Sequence, residues 1–208
     1  MITKGELQEL LNLKCTEYTK TPIYDDDNIR FKEIIKQRLM GNNSLGSDTD
    51  KARTLANSHK LLHILNTPNC DEDEPDDYYG ISILPYYIIA DTQTDVQNFV
   101  CFETSYDTYL QGMEGVVRRA QIIFYILCDV RSNNNIDRET GIARHDLLAH
   151  IITNEFNGTN CFGMQFSIVS DKPSTVDNNY AARIINLEGN TISSIRDNNR
   201  ITSGTVRR

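Results

Sequence analysis

Apolar residues recur at helical spacing through the first third of the chain and in short strand-like runs beyond residue 80. Thr3 and Glu6 have the spacing of a capping box ahead of Leu7, Leu10 and Leu11, which predicts a short first helix. Pro22 and the triplet Asp25, Asp26 and Asp27 then precede Phe31, Ile34, Ile35 and Leu39, one apolar stripe closed by Gly41. Carboxylates at its start and Lys36 and Arg38 at its end both complement the dipole of a second helix. After the polar break from Asn42 to Gly46, Asp48 or Asp50 can cap a third helix. It carries Ala52, Leu55, Leu62 and Leu65 and stops at Thr67-Pro68.

The pattern then changes. Ile81 to Ile89 is a strand-like run interrupted by Pro85, whose missing N–H suits an edge strand or a bulge. Asn98 to Tyr106 is a second such run, and Gly112 and Gly115 punctuate the way to a third. The third, Ala120 to Cys128, is rich in β-branched and aromatic residues and too short for a buried helix. It predicts a central strand covered on both faces. A helix follows near Thr140 to Phe156, with Leu147, Leu148, Ile151, Ile152 and Phe156 on one face and Arg144, Asp146, Thr153 and Asn154 mostly elsewhere. Asn157-Gly158 ends it.

Phe162, Met164, Phe166 and Ile168 alternate with polar or small residues, as a half-buried strand would. A loop through Pro173 and Asp177 leads to a last strand, Tyr180 to Leu187, closed by Glu188-Gly189-Asn190 as a turn. These elements predict an α+β fold: a mixed, mainly antiparallel sheet with an amphipathic helix packed on one face, plus an N-terminal helical extension. The corresponding division is a helical part over 1–68, an acidic linker over 69–80, the sheet domain over 81–190 and a polar tail over 191–208.

Composition narrows the functional classes. A net charge of -8 opposes non-specific binding to nucleic acid, which draws on Lys and Arg to neutralise phosphates. Five scattered cysteines, Cys15, Cys70, Cys101, Cys128 and Cys161, show no CxxC spacing. They read as reduced thiols rather than a disulfide framework or zinc site. With neither an apolar signal region at the start nor a membrane-length run, the expectation is a protein made and assembled in a cytoplasm. The tract Asp71-Glu72-Asp73-Glu74 lacks the alternating ligands and central Gly of an EF-hand and reads as a solvated, self-repelling loop.

Candidate chemistry is sparse. His145, Asp146 and His150 invite a metal reading, but histidines five apart diverge on a helix, where a zinc pair prefers a spacing of four. His59 and His63 have that spacing without a third ligand. Arg118 and Arg119 face opposite ways on a strand and form no phosphate patch. G-x-S-x-G, P-loop and G-x-G-x-x-G motifs are absent. The expectation is no catalytic residue, no cofactor and no metal. Two alternatives stay open: a metal-dependent hydrolase or nuclease using His145, Asp146, His150 and the acidic tract, and an acidic DNA-mimic inhibitor.

The order of elements over residues 116–188 resembles the tail-terminator and tail-completion proteins, the neck-ring proteins, of tailed bacteriophages. The likeness lies in the strand Gln121 to Val130, the polar turn Arg131 to Asn135, the helix Ile142 to Phe156, the Phe162 to Val169 strand and the closing segment Asp177 to Ile185. It implies a structural virion protein, without enzymatic activity, in a closed six- or twelve-fold ring in the neck or tail. There it would join the portal-connector region to the tail and let DNA pass, touching adjacent portal, connector and tail proteins but no membrane. Tube terminator, connector under the portal and stopper between them remain open, because the long helical N-terminal part and acidic tract depart from the pattern. A ring needs a head-to-tail interface whose rotation closes, and exposed sheet edges can supply one. An acidic lumen would not trap the passing duplex.

Overall fold

The computed structural model describes residues 27–43, 46–87, 96–110, 116–175 and 179–191. The helix expected near Thr3 to Leu11, the glycines 112 and 115 and the tail beyond Thr191 lie outside the described residues. Among the described residues the fold is α+β, with three α-helices and a five-stranded mixed sheet. Helix α1 (Asp27–Leu39) buries Phe31, Ile35 and Leu39, one residue per turn. Its end is a Schellman arrangement: Gly41 at φ 78° donates its N–H to Arg38 and Asn42 donates to Gln37.

Helix α2 (Asp48–Leu65) is capped by Ser47, whose hydroxyl accepts from the Asp50 N–H; the expected Asp48 and Asp50 are instead first-turn carboxylates. Its buried stripe is Thr54, Ser58, Leu61, Leu62 and Leu65, whereas Leu55 is half exposed. Two hydroxyl-bearing residues hold the turns nearest α1, and the Ser58 hydroxyl donates to the Leu39 carbonyl at 2.8 Å. The acidic tract that follows contains a 3-10 turn, Pro75–Tyr78. It is exposed at its carboxylates but sinks Tyr78 fully into the main core. Burial first, then the nearby charges of Glu72 and Asp71, push the Tyr78 phenol up to about 12.

The sheet comprises β1 (Ile83–Leu84), β2 (Phe99–Leu110), β3 (Val116–Asp129), β4 (Ser167–Thr175) and β5 (Tyr180–Thr191) in the order β1-β2-β3-β5-β4. β1 is parallel to β2, and every other pairing is antiparallel. Pro85 ends the short edge strand β1. β3 is central, and its row Ala120, Ile122, Phe124, Ile126 and Cys128 is completely buried beneath the helices. Among the described residues the opposite face is not covered to the same extent. There a smaller cluster of Leu84, Phe99, Cys101, Leu127, Tyr180 and Ala182 fills one end, while Gln121 and Ile123 are half-buried.

Helix α3 (Arg144–Phe156) presents Leu148, Ile151, Ile152 and Phe156 to the sheet and leaves Leu147 half-buried. Two strand expectations are corrected nearby. Phe162, Met164 and Phe166 alternate in burial as a strand would, yet they lie in turns, and β4 begins only at Ser167 and runs through Pro173. The alternation is real because these side chains plug the gap between α1 and α3. Phe162 meets Phe31, Phe156 and Phe166 with ring centroids 5.1, 6.0 and 4.9 Å away. Glu188, Gly189 and Asn190 continue β5 opposite Gln121, Ala120 and Arg119 rather than turning. Gly189 allows a close approach there, since a Cβ would sit 3.1 Å from the Phe166 ring, which would have to give by a few tenths of an ångström.

Phe162→Ala removes a completely buried ring from this plug and is expected to cost about 3–5 kcal/mol in urea unfolding. Val169→Ala, at a half-exposed bulge position, is expected to stay within about 0.5 kcal/mol of wild type.

Candidate functional site

The residues weighed for metal chemistry do not converge. The Asp146 carboxylate is engaged by Arg183 of β5 and lies 3.6 Å from the His145 Nε2. His150 is exposed, and its Nε2 is 3.0 Å from the Asn154 amide. His59 and His63 are both exposed on α2. His63 Nδ1 sits 3.0 Å from Glu72, so this pair tethers the acidic tract to the helix. Among the described residues no group of three His, Cys, Asp or Glu side chains is placed to hold a metal ion. Arg119 reaches Glu188 across the β3–β5 pairing at 3.4 Å. Cys70, Cys101, Cys128 and Cys161 are free thiols, and burial pushes the Cys128 thiol well above its ordinary value. No described helix is long and apolar enough to cross a membrane.

The polar side chains that do converge form three ties between elements. In the first, Glu155 of α3, almost wholly buried, accepts from Arg38 of α1 at 2.5 Å and from the Thr54 hydroxyl of α2 at 2.8 Å through Oε1. Its Oε2 accepts from the Asn57 amide at 2.9 Å. One carboxylate therefore joins all three helices. Arg38 also borders an open cleft of about 970 Å³ between α1, the start of α2 and the turn 158–163. Of the charged groups on its walls, Arg53 pairs with Asp50 at 3.1 Å and Glu33 accepts from the Gln37 amide at 3.0 Å.

The second tie closes the end of β3. Asp129, fully buried, accepts from the backbone and guanidinium of Arg131, with Nη2 at 2.5 Å from Oδ2. Asn98 lies beside it. Its Oδ1 accepts from the Asp129 N–H and the Asn134 amide, while its own amide donates to the Leu65 carbonyl at the end of α2. Burial raises the Asp129 carboxyl, but the Arg131 donors together outweigh it and leave the group below the ordinary carboxylate range. Arg144, expected away from the buried face of α3, is nearly buried and donates to the Ile64 carbonyl at 2.9 Å.

In the third, Arg183 of β5 grips Asp171 of β4 with two parallel bonds of 2.7 and 2.9 Å and reaches Asp146 of α3. Hydrogen bonding to Asp171, foremost, holds its guanidinium above the ordinary value. Arg38, Thr54, Asn57, Glu155 and Asn98 were not singled out from the sequence as partners. One signal was present: Glu155 interrupts the apolar positions Leu148, Ile151, Ile152 and Phe156, and a carboxylate on a buried stripe requires a cation.

The sequence profile of the YomW family matches residues 58–188, from the middle of α2 to the end of the sheet. The chain belongs to the YomW family. The family is phage-associated, which agrees with the phage resemblance of the same strands and helix at that coarser level. No curated protein matches the chain.

Removing Glu155 strands the Arg38 guanidinium, so Glu155→Ala is expected to cost about 3–5 kcal/mol, while the double variant Arg38→Met, Glu155→Leu recovers most of it. Equal losses in both would contradict a penalty that comes from the unpaired charge. Because Asp129 ionises more readily in the folded protein, its pair stabilises above the ordinary carboxylate range near pH 4 and fades as the pH falls. Asp129→Asn is therefore expected to lose about 2 kcal/mol at pH 7. The gap to wild type should narrow as the pH falls below the ordinary carboxylate range, and a gap that stayed constant or widened on acidification would contradict the assignment.

Proposed function

We propose that this chain is a structural component of a phage particle that assembles into a closed ring of identical copies, six- or twelve-fold, in the neck or tail. The ring joins the portal-connector region to the tail and leaves a channel through which DNA passes. The observation that carries the reading is the coincidence of the YomW match with the strand, helix, strand, strand unit that resembles neck-ring proteins.

Two further features support it. Each of the three polar clusters ties one element to another, as a scaffold requires, and none gathers a nucleophile, base and orienting group around the cleft. The net charge of -8 suits a channel that must not trap the duplex. In this reading the ring forms in the host cytoplasm, becomes part of the virion and works by shape and self-association, with portal, connector and tail proteins above and below it.

Light scattering over a concentration series, together with particle images, tests the proposal. The expected result is a closed ring whose mass is six or twelve times 23.7 kDa. A strictly monomeric chain at every concentration, also missing from particles, would overturn it.

A further inference from the structure

The face of α1 beside its core stripe lines the cleft. Phe31, Ile35 and Leu39 turn into the core, and Arg30, Glu33, Ile34, Gln37 and Arg38, again at helical spacing, form one wall. Among the described residues the lining carries three guanidiniums, those of Arg30, Arg38 and Arg53, against the carboxylates of Glu33 and Asp50. A chain with a net charge of -8 thus gathers a local excess of cations here. Asp50 is engaged by the Ser47 hydroxyl as well as by Arg53.

Arg38 sets the geometry. It is only 7% exposed, and its Nη1 is taken by Glu155, donating to Oε1 at 2.5 Å and to the backbone carbonyl at 3.4 Å. Nε and Nη2 have no hydrogen-bond partner among the described residues, yet neither nitrogen is sealed from solvent. In a planar guanidinium the Nε–H and one Nη2–H point the same way, and a carboxylate or phosphate accepts from such a pair side by side. Glu155 therefore holds one end of the guanidinium and leaves its two-pronged side to the cleft. Arg30 adds a second cation, which no carboxylate pairs among the described residues.

The remaining wall suits an organic body. Ile34, Cys161 and Phe162 give it an apolar side, and Asn42 and Asn160 are exposed amides. A volume of about 970 Å³ is that of a site for a small organic molecule, far more than a bare oxyanion fills.

We infer that the cleft binds a small organic anion, its phosphate or carboxylate head held by the Nε–H and Nη2–H of Arg38 beside Arg30, its body lying against Ile34 and the turn 158–163. The pair with Glu155 fixes the guanidinium before any ligand arrives, so little side-chain freedom is lost on binding. The site lies within one copy and goes beyond the ring reading, which neither requires nor forbids it.

The test is an NMR titration of the isotope-labelled full chain with inorganic phosphate, phenyl phosphate or benzoate, each compared with sodium chloride at equal ionic strength. Saturable shifts are expected at the Arg38 Nε–H and at the Cys161 and Gly163 amides. An organic probe is expected to bind more tightly than inorganic phosphate, and the better of the two identifies the head. Arg38→Lys keeps a cation for Glu155 but removes the paired donors, and is expected to weaken binding about tenfold. Arg30→Gln removes no ion pair, keeps the fold and is expected to weaken binding about threefold. Shifts no larger than those with chloride for every probe would overturn the inference. So would an Arg30→Gln chain that binds as tightly as wild type, or a folded Arg38→Lys chain that does.

Discussion

Phenylalanine packing between the helices and the sheet is the constraint on which the rest of the structure depends. Phe102 and Phe124 rise from β2 and β3, Phe124 stacks on Phe156 of α3 at 5.2 Å, and Phe31 of α1 closes against Phe162 and Phe166. Each ring contributes on the order of 1.5–3 kcal/mol by leaving water, and close packing fixes the distances between the elements that carry them. The turn 162–166 has no regular secondary structure and still buries Phe162, Met164 and Phe166. It fills the space that two helices of ordinary radius leave above a twisted sheet.

Polar contacts become legible once that packing is in place. Arg38 and Glu155 meet because α1 and α3 both pack on Phe162. A buried ion pair adds little net stability against an apolar pair of the same size. It penalises any alternative placement of the helices, because a displaced helix would leave a charge buried alone. Asn98 acts similarly at the other end, binding the last turn of α2 and the last residue of β3 through one amide. The helical part and the sheet are consequently parts of one core, with Phe31, Leu62 and Tyr78 in the same cluster as Ile122 and Ile185.

Much of the fold was legible from periodicity, because α1, β3, α3 and β5 each bury a stripe at the spacing their type dictates. The failures share one cause. Alternation at Phe162, Met164 and Phe166 reports burial, not strand pairing, and a sequence cannot distinguish the two. Glu188-Gly189-Asn190 has turn composition, but Gly189 is there to admit the Phe166 ring. Ser47 caps α2 in place of two nearby aspartates, since which residue has extended backbone is a property of the chain's path. The ties centred on Glu155 and Asn98 join positions more than 30 residues apart, a relation that local pattern does not contain.

The described helices and the sheet share one core rather than standing as two units. Backbone hydrogen exchange at rising denaturant tests it most directly. A single core predicts that the amides around Ile35 in α1 and around Phe124 in β3 open together, at the free energy of global unfolding. Amides of α1 that exchange through their own opening, several kcal/mol lower while β3 stays protected, would contradict it.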